Sequence, residues 1–269
     1  MNSIFNKAIT EIIRSRYSVR NYEDKLLKEE EVKNLEDYIS KVDNPFNIKI
    51  RINLIKKENL GDQVKVGTYG VIKGAKYYLT AVCEKKEFAL EALGYTFEKV
   101  ILYCTSLGLG TVWLGGTFSK GGFSKAIDLK ENEILQIVSP VGYEGGKKSL
   151  LASLMGDHKN KRKDYSDLFF NGDFDTKLSL EDAGEYGEAL EMVRLAPSAN
   201  NMQPWRIVKI NNDIHIYTNG KINMSKIDIG IALCHFDLYT KENRINGEFK
   251  FTNPNIESKY KYVISWIRK

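Results

Sequence analysis

The chain is poor in the residues that would place it in several large protein classes. Among 269 residues there are three cysteines, Cys83, Cys104 and Cys234, and no Cys-x-x-Cys pair. This excludes a disulfide framework and suits reduced, mostly buried thiols in a cytoplasmic protein. Five prolines leave little room for long proline-rich linkers. No apolar run reaches the length of a membrane span. Lys7, Glu11 and Arg14 interrupt the N-terminal segment where a signal-peptide core would lie. The three histidines, His158, His215 and His235, fall at no spacing that suits a metal or a catalytic relay. A large excess of one charge is missing too. Forty basic and 35 acidic residues give +5, which fits an anionic ligand and does not call for nucleic acid.

What is present, 42% hydrophobic and 28% charged residues, is the composition of a soluble globular protein. The length allows one large domain or two small ones. The densest polar stretch is Ala196-Pro197-Ser198-Ala199-Asn200-Asn201-Met202-Gln203-Pro204-Trp205-Arg206. Two prolines this close cannot sit inside a helix, so the stretch is a shaped loop. It offers one hydroxyl and three carboxamides beside the ring of Trp205, a set that suits a planar ligand with polar edges. A turn rich in turn-forming residues would look the same.

The stretch resembles the Pro-Ser-x-x-Asn-x-Gln-Pro-Trp signature of the FMN-dependent nitroreductase family, with matches at Pro197, Ser198, Asn201, Gln203, Pro204 and Trp205. The resemblance implies a loop over the flavin, contributed by the neighbouring subunit. That family carries the loop in the first third of its chain; here it stands in the last third.

Helical spacing predicts an amphipathic helix over 3–14, with Ile4, Phe5, Ala8, Ile9, Ile12 and Ile13 on one face. The segment after it, Arg14 to Tyr22, holds three arginines and two serines. It reads either as a phosphate cradle or as a cationic helix end offsetting the dipole. It also resembles the nitroreductase opening Arg-x-Ser-x-Arg, at Arg16, Ser18 and Arg20. The resemblance assigns these positions, with Tyr17 between them, to the FMN phosphate and the pyrimidine edge. A second helix is expected over 28–42, then Pro45-Phe46 and a strand alternating through Ile48, Ile50, Ile52 and Leu54. Residues 61–76 read as a glycine-bearing loop with Lys73 solvated, and Tyr77 to Val82 as a strand. A long helix over 86–107, apolar over much of its girth, reads as central.

Gly108-Leu109-Gly110-Thr111-Val112-Trp113 is not a dinucleotide fingerprint, because it follows a helix and has Trp113 at the third glycine position. It resembles the family's Gly-Leu-Gly-x-x-Trp element. The resemblance implies a backbone N–H near the flavin N5, with Gly115 and Gly116 permitting close approach. A strand is expected over Ile134 to Gly142. The basic run 159–163 reads as a solvated face or a nucleic-acid patch. By resemblance it closes the phosphate site, with Arg162 the best match and Lys161 a weaker one.

From Leu178 the order of elements begins again. A helix over 181–194 leads into the polar loop, followed by strands at 206–210 and 213–218, a helix over 226–241, a strand near 248–252 and a strand over 259–268. Leu93-Gly94-Tyr95 aligns with Ile229-Gly230-Ile231 at an offset of 136 (230 − 94). Pro45-Phe46 aligns with Pro204-Trp205 at an offset of 159 (204 − 45). The expected fold is therefore α+β, nitroreductase-like. It comprises two degenerate repeats, residues 1–164 and 165–269, each with a mixed or antiparallel sheet and a central helix. The resemblance extends to a branch of the family with its two halves fused in one chain.

The function so implied is transfer of a hydride from NADH or NADPH through FMN to an electron-poor acceptor such as a nitroaromatic or quinone. One monomer suffices for one site, and neither nucleic acid nor membrane is a partner. The rival readings are a flavin-binding sensor or store without turnover and a basic nucleic-acid binder using residues 159–163.

Overall fold

The computed structural model describes residues 5–60, 72–146 and 162–269. Its elements begin with α1 (Ile9–Ser15) and α2 (Glu29–Ile39). A four-stranded sheet follows, built from β1 (Ile50–Lys56), β2 (Tyr77–Glu84), β3 (Gly110–Thr111) and β4 (Glu133–Gly142), in the order β1-β2-β4-β3 and antiparallel throughout. Helices α3 (Ala89–Ser106) and α4 (Lys120–Ala126) lie between its strands in sequence. Then come α5 (Tyr165–Leu168), β5 (Phe169–Asn171), α6 (Leu180–Ala183) and α7 (Gly187–Leu195). The chain closes with β6 (Trp205–Ile210), β7 (Asp213–Thr218), α8 (Asn223–Glu242), β8 (Gly247–Lys250) and β9 (Lys261–Arg268). The second sheet runs β5-β6-β7-β9-β8, mixed because β5 pairs parallel with β6.

Without β5, the second sheet has the strand order of the first: β6-β7-β9-β8 against β1-β2-β4-β3. Each second-to-third pairing also carries one irregularity, at Ala81/Val82 and at Ile216/Tyr217. The α+β architecture is as expected from the sequence.

Helices α3 and α8 form the centre, and α3 is buried on almost every side. A helix apolar all round needs cover all round, which α3 finds in α8, α1, α2 and the strands of the first sheet. Their approach is set by two glycines. A Cβ on Gly94 would stand 2.1 Å from the Ile227 carbonyl oxygen, and one on Gly230 would stand 2.0 Å from that of Glu91. These are one contact seen twice, since 91 and 94 plus the offset of 136 give 227 and 230. Further along, Tyr95 reaches Asp237 and Glu98 reaches His235.

Several boundaries differ from the sequence pattern. The first helix starts at Ile9, not residue 3. Glu242 accepts the Ile9 N–H at 3.0 Å, and Asn6 is drawn off to the Ser106 carbonyl. The second helix stops at Ile39, because Asn44 gathers the backbone of Phe46 and Ile48 into a turn. The helix expected over 181–194 breaks into α6, a 3-10 turn over Gly184–Tyr186 and α7, at the left-handed Gly184. Strand β5 and helices α4 and α5 were not legible in the sequence, being short and without a clear period. Cys83, Cys104 and Cys234 are free and buried. Among the described residues, no helix is long and apolar enough to cross a membrane.

Candidate functional site

The loop between α7 and β6 is held in an unusual shape. Asn200, Asn201 and Gln203 have φ of 50°, 57° and 47°. Asparagine tolerates the left-handed region; each such residue still costs on the order of 1 kcal/mol or more, so the surroundings must fix it. Ser198 Oγ accepts the Gln203 N–H at 2.9 Å. Gln203 Nε2 donates to the carbonyl and side-chain oxygens of Asn201 at 3.1 and 3.2 Å. From α8, Asp228 Oδ1 accepts the Ala199 N–H at 3.0 Å.

The basic segment clasps the same loop. Arg162 donates to Asn201 Oδ1, and to the Leu195 carbonyl at 2.9 Å. The Lys163 N–H donates to Gln203 Oε1 at 3.0 Å, and its ammonium to the Met202 carbonyl at 2.8 Å.

Arg16, at the C-terminal end of α1, is buried at 7% exposure. Burial lowers its pKa and the Glu98 carboxylate partly opposes that. Arg162 is lowered to about 10, first by burial and then by the charges of Arg16 and Arg194, with Glu98 opposing. Arg194 is tied to Glu191 at 2.6 and 2.7 Å. Arg16 Nη1 and Arg162 Nε are buried with no hydrogen-bond acceptor among the described residues. Two mutually repelling guanidiniums with unused donors need an anion to complete them.

Behind them lies a buried polar network. Trp113 Nε1 and His235 Nε2 bind the two oxygens of Glu98 at 3.0 and 2.8 Å. His235 Nδ1 lies 2.8 Å from the Met192 carbonyl. A carbonyl only accepts, so His235 Nδ1 is the donor there and Nε2 is the atom that meets Glu98.

The other residues singled out in the sequence are placed less uniformly. Tyr17 donates to Glu144, and burial, reinforced by that carboxylate, pushes its pKa up to about 12. Ser18 bridges to Thr111 in β3. Arg20 turns back toward the Ser18 carbonyl at 3.5 Å, and burial lowers its pKa. Among the described residues neither Ser18 nor Arg20 bonds to the 197–203 loop. Lys73 is exposed, as expected. Pro197 is half-buried at the start of the loop. Gly115 is approached by a side chain: its Cβ would stand 2.5 Å from the methyl of Met224, on the first turn of α8. Gly116 has open space around it. Lys161 and most of the basic run lie outside the described residues. Trp205 does not present its ring to a ligand. It is fully buried at the start of β6, because the strand turns its first side chain into the core. Gln203 is 1% exposed with both ends of its carboxamide engaged within the protein. Asp228, Glu98, His235 and Arg194 were missed: nothing local marks a lone polar residue inside a helix.

A family model described as "Putative TM nitroreductase" matches residues 8–240. The chain belongs to the nitroreductase family. The crystal structure of "a putative nitroreductase" from Thermotoga maritima shares the fold, with a TM-score of 0.62 at 19% identity over 97% of this chain and 94% of that one. An FMN-dependent nitroreductase from Clostridium difficile R20291 is similar over 55% of this chain and 94% of its own, with a TM-score of 0.44 at 16% identity. No curated protein matches the sequence. For a nitroreductase the natural candidate for the missing anion is the phosphate of FMN. The residues fit it, since Arg162, bonded to the polar loop, and Arg16, near enough to lower its pKa, each bury an unused donor.

Proposed function

We propose that this nitroreductase is an FMN-dependent oxidoreductase that takes a hydride from NADH or NADPH and delivers it to an electron-poor acceptor such as a nitroaromatic or quinone. The observation that carries the reading is the pair of guanidiniums with unused buried donors, buried Arg16 and half-buried Arg162, the latter bonded to the preorganised Ser198–Gln203 loop. The bound flavin supplies the redox chemistry. The protein's part is to neutralise the phosphate with Arg16, Arg162 and the neighbouring Lys161. Tyr17, Ser18, Arg20, the backbone at Gly115 and Gly116, and the Pro197–Gln203 turn hold the ring edges. No side-chain acid, base or nucleophile is required.

The same reading assigns one FMN per chain, between two nitroreductase-like halves at residues 1–164 and 165–269. Three features support it: the reciprocal glycine contact, the shared strand order, and the occurrence of each flavin-facing motif once only. The position related to the loop by the repeat is a cleft of about 350 Å³ lined by Asn34, Tyr38, Lys41, Asp43, Lys99 and Tyr103. Its buried cation, Lys99, is already paired with Asp43 at 2.7 Å, and Tyr38 stacks on Tyr103 with centroids 4.1 Å apart. That cleft has its charges matched internally, unlike the arginine site.

Two outcomes are expected. Titration of apo-protein with FMN, with the mass in solution measured alongside, gives one flavin per chain without requiring a dimer; extraction of FAD, or no flavin binding, counts against the reading. With NAD(P)H and a quinone, initial rates give parallel double-reciprocal lines, because donor and acceptor use one cleft in turn. Bound flavin that NAD(P)H does not bleach would instead indicate a sensor or store.

A further inference from the structure

We propose that Asp228 is a positioning residue that fixes the flavin-edge loop from the α8 side; the inference rests on the flavin reading above. Asp228 is 3% exposed, and its Oδ1 accepts the Ala199 N–H at 3.0 Å. That amide immediately precedes the left-handed run Asn200, Asn201 and Gln203. The bond therefore holds the N-terminal end of the turn, as Ser198 Oγ holds its C-terminal end.

The opposite clamp differs in kind. Arg162 also holds the loop, at Asn201, but its guanidinium is one of the two with unused donors, so an arriving phosphate competes for it. Asp228 has no such second task and can hold the loop in both states. It also lies one helical turn after Met224, whose methyl packs on Gly115. One stretch of α8 thus registers two flavin-facing segments against each other.

The repeat gives an independent argument. At the offset of 136 the counterpart of Asp228 is Ala92, in the half that has no Ser/Asn/Gln loop. A buried carboxylate without a cationic partner is costly; at this pair of related positions it stands on the side that has the loop, and an alanine stands on the other. None of the charged side chains on the elements packed against α8 pairs with Asp228 among the described residues. These are Glu11 and Arg14 on α1, Glu91, Glu98 and Lys99 on α3, Glu188, Glu191 and Arg194 on α7, and Arg206 and Lys209 on β6; Lys226 on α8 itself does not pair with it either. Burial, opposed by the Ala199 N–H, pushes the carboxyl up to about 7. The charged carboxylate is the stronger acceptor, so the clamp weakens as pH falls through that value.

The test compares FMN dissociation constants of wild type, Asp228→Ala and Asp228→Asn between pH 5.5 and 8.5. Asp228→Ala binds FMN about tenfold more weakly at pH 8, the scale of one lost hydrogen bond. Asp228→Asn keeps an acceptor and recovers most of that loss. The phosphate of FMN itself titrates near this range, so the diagnostic quantity is the ratio of wild-type to Asp228→Asn affinity. It should fall toward one, by about two- to threefold, from pH 8 to pH 6. A constant ratio, or Asp228→Ala within twofold of wild type, overturns the proposal. If wild type binds no FMN, the flavin reading fails. Amide exchange at Ala199–Gln203 in the apo-protein then decides this one: faster exchange in Asp228→Ala supports it, and unchanged exchange overturns it.

Discussion

Substitution of Arg16 by alanine is expected to weaken FMN binding by about 1.5–3 kcal/mol, the scale of a charge-assisted hydrogen bond, while making the flavin-free protein more stable. The two effects have opposite signs for one reason. Arg16 is buried, its pKa is lowered by that burial, and its Nη1 has no acceptor among the described residues. In the apo-protein it is a desolvated charge with incomplete compensation, which costs stability. When phosphate arrives, the same charge becomes a ready-made partner. Arg16→Met, which keeps more of the packing volume, should show the gain in apo stability more clearly than Arg16→Ala. Flavin fluorescence titration and urea unfolding of the apo-protein measure the two quantities. Unchanged flavin affinity would move the phosphate site elsewhere.

Gly94→Ala and Gly230→Ala should each destabilise the fold by about 3 kcal/mol or more, at the upper end of overpacking costs, and by similar amounts. At both positions the added methyl meets a backbone carbonyl on the other helix, at 2.1 and 2.0 Å. A carbonyl cannot rotate away as a side chain can, so the helices must separate. Separation would also pull apart the candidate site, since Glu98 stands on α3 and Asp228 and His235 stand on α8. Near-equal losses follow from the matching geometry of the two contacts. Urea unfolding checks them, and a loss below about 1 kcal/mol at either glycine would contradict the packing described here.

The sequence alone was informative where a motif is local or a period is long. The Pro-Ser-x-x-Asn-x-Gln-Pro-Trp stretch, the arginine-serine opening and the apolar central helices are each contiguous, so their spacing is visible directly. The offset of 136 residues, read from Gly94 and Gly230, is the spacing of the interhelical contact itself. Short elements were not visible: β5 has three residues and owes its existence to pairing with β6.

From the sequence alone the family and the α+β class were legible, along with a loop and arginines to look for. Tertiary structure decided how those residues are used. It turned Trp205 and Gln203 inward, brought Arg16 beside Arg162 across 146 residues (162 − 16), and gave Asp228 a loop to hold. It also buried Glu98 against His235 and Trp113. The physical reason is that burial, neighbouring charge and the aim of a hydrogen bond depend on residues far apart in the chain. A local pattern can name a side chain, but only packing fixes its solvent, its partner and hence its charge.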